Sequence, residues 1–282
     1  MTNATLTAGH STAPRTLRRR MPVARIAAHD VVRPSELSAE ARTQLAQELY
    51  VLCDEIFGGP NTRPLAEGLA NGAAGDVTLC RYFDRTGRLV GFTAALLAEL
   101  ELDGAAYSIF RGMSALLPEF RGGQTVAGFW ARLLIQYRLR HPRRHIYFFT
   151  PVAHISSFRV FAKNLPTLYP YTAPTPEALR VMRALKTHFH YGTVEGGDEW
   201  LCNRAAWTKE DAAIDRRLGR NDVINQFWKR TNPHPERGDC LLVLFPVTAA
   251  NLAGGLVKYA ATQLERRLGL SGGRRQMEGV RA

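Results

Sequence analysis

The chain has 282 residues, of which 45% are hydrophobic and 22% charged, and a formal net charge of +12. Thirteen Phe, nine Tyr and four Trp are too much apolar surface to leave in water, which excludes disorder along the whole length; collagen-like and coiled-coil compositions are excluded as well. No stretch approaches the ~20 consecutive apolar residues of a membrane-spanning helix, and the length suits one large domain or two small ones.

Residues 1–22 carry almost no hydrophobic pattern and read as a disordered basic leader; they hold no apolar run of the kind that directs secretion, so a cytoplasmic location is expected. A helix is predicted near residues 36–57: Ser35 or Ser38 can cap it, Leu45, Leu49, Leu52 and Ile56 trace one apolar face, and Gly58-Gly59-Pro60 stops it. The β-rich runs 76–83 and 89–102 flank Asp84-Arg85-Thr86-Gly87, and Asp103-Gly104 leads into a third run at 106–117, so residues 76–117 read as an antiparallel meander. From Gln124 to Arg140 the period becomes helical. A short buried strand at 145–152 follows, then a helix with Ile155, Phe158, Phe161 and Leu165 inward, closed by Pro166. Strand, helix, strand in that order implies a crossover and a locally parallel pair. Further on, a helix begins at Thr175-Pro176-Glu177 and carries Leu179, Met182, Leu185 and Phe189. Residues 198–207 suggest a strand, 209–230 a helix, 239–248 a strand and 250–268 a last helix, and the tail 271–282 reads as disordered.

Cys53, Cys80, Cys202 and Cys240 are far apart without a CxxC pair, which points to reduced buried thiols and to no metal site. The basicity is made almost wholly of Arg, 32 of the 37 basic residues. Such a surface favours anions, and a phosphorylated donor or an acidic protein ranks above nucleic acid because the basic residues are scattered.

The most informative stretch is Leu116-Leu117-Pro118-Glu119-Phe120-Arg121-Gly122-Gly123-Gln124-Thr125-Val126, between a strand and a helix N-terminus. Free N–H groups there, with the helix dipole behind them, suit phosphate oxygens; a tight turn ending a strand is the plain structural alternative. This stretch resembles the acyl-CoA-binding motif of the GNAT (Gcn5-related N-acetyltransferase) superfamily, hydrophobic-x-Pro-Glu-aromatic-Arg-Gly-x-Gly-x-Gly/Ala, with Leu116, Pro118, Glu119, Phe120, Arg121 and Gly122 as matching positions. Downstream, residues 154–166 resemble the family's Asn-x-x-Ala-x-x-Leu-Tyr-x-Lys segment at Ser157, Val160, Phe161 and Lys163. The likeness spans roughly residues 35–170.

The resemblance implies an α+β fold: a central mixed, mostly antiparallel sheet flanked by helices, with a C-terminal α/β extension. It implies a donor-binding core over 23–170 and an extension over 171–270 that completes the sheet or the acceptor pocket. The donor's pantetheine arm would lie where the strand before Arg121 splays from the strand at 145–152. Backbone groups of Leu116 and Leu117 would hold the pantetheine amides, and Arg121, Gly122, Gly123, Gln124, Thr125 and Val126 the pyrophosphate. The sequence departs from the family at Gln124 and Val126, where Gly or Ala is usual, and at Phe161, where the family often has an acid Tyr. Tyr169 and Tyr171, just downstream of that position, are the candidates to supply the proton in its place. For a general base, Glu99 and Glu101 share one face of their strand, although a solvated strand face is the plainer reading of both. His154 serves either as a base or as a helix cap.

These observations favour an acyltransferase that moves an acyl group from acetyl-CoA, a longer acyl-CoA or an acyl carrier protein to a small-molecule amine. The branch of the family that makes N-acyl amino acids or acyl-homoserine lactones fits the degenerate loop and the basic surface. The rival readings are a GNAT-like binding module without turnover and a basic polyanion-binding protein.

Overall fold

A computed structural model describes residues 26–72, 75–121, 125–204, 207–208, 222–255 and 257. The expected leader and tail, and most of the helices expected at 209–230 and 250–268, lie outside the described residues. The main sheet has seven strands in the order β1 (Ala28–Val32), β3 (Asp76–Phe83), β4 (Leu89–Leu102), β5 (Ala105–Leu116), β6 (His145–Val152), β9 (Asp239–Pro246), β7 (Leu201–Asn203). Every pairing is antiparallel except β5 with β6. The fold class is therefore the expected one, a mixed and mostly antiparallel sheet flanked by helices. A two-stranded ribbon joins β2 (Phe57–Gly58) to β8 (Trp207–Thr208).

The helix α1 (Ala39–Ile56) starts where Ser38 accepts a hydrogen bond from the Ala41 amide, and it buries Leu45, Leu49, Leu52 and Ile56, the stripe legible in the sequence. Two elements carry no such signal. Strand β1 lies at the sheet edge and is mostly exposed, so it lacks an apolar period. Helix α2 (Thr62–Asn71) holds Pro64 and Gly68; proline is tolerated in a first turn because those amides have no intrahelical partner.

Alternation along β5 sorts the helices onto two faces. Ser108, Phe110, Gly112 and Ser114 face α3 (Thr125–Arg140): the Tyr137 hydroxyl lies 3.0 Å from Ser108 Oγ, and its ring meets the Phe110 ring edge-on. On that face Phe148 touches Phe161 of α4 (Ile155–Asn164), and Phe158 stacks on Phe227 of α6 (Val223–Thr231). The opposite face holds α1, through Glu48 and Arg81, and α5 (Pro176–His188), through Arg180 and Tyr107. The buried residues form two clusters, one under α1 and α2 and one centred on β6 and β9. They meet at β5.

Gly112 lets α3 lie flat on β5: a Cβ there would stand 2.6 Å from the Trp130 ring and 2.7 Å from the Phe148 ring. Gly128 of α3 has nothing within 4 Å of the same added atom. Gly112→Ala should therefore cost about 1–3 kcal/mol by overpacking, whereas Gly128→Ala should stabilise by about 0.5–1 kcal/mol through helix propensity. Urea unfolding midpoints of the two variants check both signs.

All four cysteines are free and buried. Burial pushes the Cys53 thiol up to about 12 and the Cys202 thiol up to about 11 from an ordinary 9.0. Below pH 9 the folded and unfolded chains both keep these protons, so the stability is whole. Between pH 9 and 11 the unfolded chain loses protons that the folded chain retains, and stability must fall as pH rises. Urea midpoints at pH 8 and pH 10.5 should show that fall, and a Cys53→Ala/Cys202→Ala variant should show a smaller one.

Candidate active site

The parallel register of β5 and β6 runs over only four pairs, from Tyr107↔His145 to Phe110↔Phe148. Beyond it β5 stays paired to β4 as far as Leu116, while β6 stays paired to β9 as far as Val152. A seam opens between them from Arg111 and Phe149 onward.

Backbone accounting shows what the seam offers. Leu117 N–H donates to Val90 O at 3.0 Å, so the odd-numbered residues of β5 point their amide groups at β4. The even-numbered ones, Gly112, Ser114 and Leu116, point theirs into the seam. Two of those carbonyls are met by side chains: Thr150 Oγ1 donates to Gly112 O at 2.7 Å, and Arg121 Nε donates to Leu116 O at 2.8 Å. Ser114 lies between these two bonded positions. A secondary amide laid along the seam can pair with its N–H and C=O as a neighbouring strand would. The Ser114 hydroxyl lies 3.1 Å from Thr93 Oγ1, which accepts a 3.0 Å bond from the buried Tyr82 hydroxyl, so a row of hydroxyls links β3, β4 and β5 here. Burial pushes the Tyr82 phenol up and keeps it protonated.

The mouth of the seam is the loop after β5. Pro118–Phe120 form one 3-10 turn, anchored by the buried Phe120, and Arg121 is extended. A cleft of about 260 Å³ lies beside it, lined by Glu55, Ile56, Leu117, Pro118, Glu119 and Arg121. Helix α3 begins at Thr125, and its first turns aim N–H groups back towards the loop. Val126 is half-buried against the α1 and α2 cluster. Gly122, Gly123 and Gln124 lie outside the described residues.

Several expected roles change on this geometry. The Leu117 amide is spent on Val90 and its carbonyl on the Phe120 amide, so of the two residues expected to hold pantetheine only Leu116 faces the seam. Ser114 and Gly112 join it. Arg121 is folded onto Leu116 O, so it shapes the loop as well as carrying charge. Glu99 pairs with Ser108 and Glu101 with Ala106 at the closed end of β5. At about 3.3 Å per residue they stand roughly 13 and 20 Å from Gly112 along the strand. The Glu99 carboxylate accepts from Tyr137 O–H at 2.8 Å and meets Arg144 at 3.0 Å. The Tyr169 backbone bridges Leu244 on the outer side of β9. His154 occupies the N-cap position of α4 without a side-chain cap bond.

Strand alternation and side chains from distant segments hid the other participants. Thr150 and Ser114 look like ordinary strand residues until β6 is laid beside β5. Arg111 carried a signal, as the one charge in strand 106–117.

No family model and no curated protein matches the chain. Solved structures similar to parts of it include a conserved Enterococcus faecalis protein described as a probable N-acyltransferase, at TM-score 0.32 and 11% identity over 49% of this chain and 33% of that one. A GNAT-family acetyltransferase from Brucella melitensis, in complex with acetyl-CoA, is similar at TM-score 0.29 and 14% identity over 43% of this chain and 75% of that one. An Arabidopsis thaliana protein in complex with acetyl-CoA, NAA60, is similar at TM-score 0.35 and 10% identity over 78% of this chain and 98% of that one. The chain thus spans a third of the length of the Enterococcus protein.

The Thr150 bond ties β6 to β5 across the open part of the seam. Thr150→Val keeps the shape and leaves Gly112 O without that donor, so it should lower stability by about 1–3 kcal/mol. Ser114→Ala removes the bond between the Ser114 and Thr93 hydroxyls from a more exposed position and should cost less, about 0.5–1 kcal/mol. Paired urea titrations check the contrast.

Proposed function

We propose that the protein is a GNAT-type N-acyltransferase that moves an acyl group from a pantetheine thioester to an amine. The observation that carries this reading is the seam between β5 and β6, with strand-like backbone groups at Ser114 on one side and the PEFRGG loop and the start of α3 at its mouth. Pantetheine has two secondary amides that can pair with such an edge, and the diphosphate of coenzyme A suits the amide donors of the loop and helix start. Laid this way, with the diphosphate at residues 121–126, the thioester lies towards Gly112 and Thr150.

The chemistry is a direct transfer. An ammonium first loses a proton; the free amine attacks the thioester carbon, a C–N bond forms and the C–S bond breaks. The nitrogen gives up a second proton, the thiolate takes one, and the balance is one amide, one thiol and one proton released to water. The seam's contribution is to hold the thioester next to an amine and away from bulk solvent. Coenzyme A and the phosphopantetheine of an acyl carrier protein share the arm that the seam receives; the Arg-rich surface suits an acidic carrier, as the branch making N-acyl amino acids would need.

Binding without turnover is the second reading. It is favoured by the placement of Glu99, Glu101 and Tyr169 away from the opening. Incubation with acetyl-CoA and octanoyl-CoA and a panel of amines and amino acids, with free thiol as readout, is expected to show amine-dependent thiol release. Arg121→Glu should weaken coenzyme A binding by about tenfold or more in a variant that still unfolds cooperatively, its midpoint lowered only by the lost bond to Leu116 O. Saturable coenzyme A binding with no thiol release from either donor establishes the second reading, and no binding overturns both.

A further inference from the structure

Arg111 is the first residue of β5 past the last pair with β6, and its side chain projects on the face opposite α3. Most described arginines with little exposure are committed to carboxylates. Arg81 holds Asp30 and Glu48, Arg144 holds Glu99, and Arg159 holds Asp222. Arg111 has no such carboxylate among the described residues; the Arg144 Nε is also buried without an acceptor, but its guanidinium is already paired with Glu99. The Arg111 Nε is buried and meets no hydrogen-bond acceptor among the described residues, and its guanidinium lies 4.2 Å over the Phe189 ring and 5.9 Å from the centre of the Tyr191 ring. The Tyr191 hydroxyl is likewise buried without a partner among the described residues. Arg204 also lies over that ring, its guanidinium 5.7 Å from the centre, and neither Arg111 nor Arg204 forms an ion pair among the described residues. Buried donors without acceptors cost roughly 1–3 kcal/mol each, so a folded chain keeps them where something supplies the acceptor.

The two rings are aimed by the end of α5. Tyr191 N–H donates to Lys186 O at 2.9 Å and His190 N–H to Thr187 O at 3.0 Å, the double bond of a Schellman cap. The left-handed position of that cap, usually glycine, is His190 at φ +54°. A non-glycine residue held there keeps Phe189 and Tyr191 on either side of a fixed kink, both rings against Phe149 of β6.

We propose that Arg111, Tyr191 and Arg204 form a subsite for the carboxylate of the acceptor, so that the amine acylated at the seam belongs to an amino acid. The idea rests on the transferase reading for the word acceptor; the anion subsite itself does not. A guanidinium fork matches a carboxylate with two parallel N–H···O bonds, and a tyrosine hydroxyl adds a third donor. Arg111 is one residue from Gly112, where the thioester is proposed to lie. A carboxylate held by Arg111 therefore leaves an amine a few bonds away at the vertex of the seam, while the Phe189, Tyr191 and Phe149 rings favour an apolar side chain.

The test separates binding from turnover. Calorimetry of the full-length protein with phenylalanine, 3-phenylpropanoate and phenethylamine should show binding of the two carboxylates and at least about tenfold weaker binding of the amine that lacks one. Arg111→Met should abolish that preference, Arg111→Lys should restore part of it, and Tyr191→Phe, which keeps the ring contacts, should weaken carboxylate binding about three- to tenfold. In thiol-release assays Arg111→Met should raise KM for phenylalanine far more than for phenethylamine. Equal binding of phenylalanine and phenethylamine, no binding of any probe, or an unchanged preference in a folded Arg111→Met variant overturns the proposal. Carboxylate preference that depends on Arg111, without thiol release from any acyl-CoA, upholds the anion subsite and overturns the transferase reading alone.

Discussion

The structure depends on a conflict of loyalties between two adjacent strands. β5 is hydrogen-bonded to β4 along its whole length, and β6 is paired to β9 over nearly all of its own. Each is bound to its outer neighbour more extensively than to the other, with which it shares four pairs. Sheet twist turns successive strands in one sense, so two half-sheets joined over so short a length separate beyond the join. The core follows the same division: one buried cluster belongs to β3, β4, α1 and α2, the other to β6, β9, α4 and α5. An opening in a sheet exposes backbone donors and acceptors that must be satisfied. Here Thr150 and Arg121 satisfy two carbonyls with side chains, and the interval between them is where a ligand can act as a strand.

The faces on either side of the seam differ in chemistry. Towards α3 the floor is aromatic and close: Trp130 meets Phe148 edge-on with ring centres 4.9 Å apart, and Phe148 stacks on Phe245 at 4.8 Å. That face has room for the backbone of β5 only because residue 112 has no side chain. Towards α5 the wall is aromatic but carries unpaired donors. A thin arm with amide groups suits the strand edges, whereas a charged, compact group suits the α5 side. The two halves of a group transfer can then approach one point from different faces.

Much of this architecture was readable from the chain alone because its signals are local. The stripe of α1, the Gly-containing turns of the meander and the change of period at Pro118 each lie within a few residues. The crossover through α3 followed from element order and gave the parallel pair. What stayed hidden was non-local or weak. β1 is an exposed edge strand, α2 is interrupted by Pro64 and Gly68, and the expected strand at 198–207 divides into Leu201–Asn203 on the main sheet and Trp207–Thr208 on Phe57–Gly58. His188 and His190 sit at a helix end and in its cap. For the site, the loop was visible as a motif. The register decided the rest: moving the attention from Glu99 to Ser114 needs the knowledge that β5 runs closed at Ser108 and open at Gly112.

The arginine content also takes a different meaning once partners are assigned. A chain of net charge +12 invites the idea of a general polyanion surface, yet in the basic run at residues 138–144 two of the four arginines are engaged within the molecule. Arg138 donates to Arg144 O at 2.9 Å, and Arg144 binds Glu99. On the α5 side, Arg180 pairs with Asp103 and Arg183 with Glu199. These guanidiniums close a strand end or tie a helix to a turn, and a helix C-terminus favours cations in any case. Against that background, Arg111, beside the seam with a buried Nε and with no carboxylate partner among the described residues, stands apart. Its neighbours are rings, which tolerate its charge through their faces but cannot accept its in-plane protons. Charge of that kind is specific to a planar anion that fits the fork, and a diffuse basic surface would not require it.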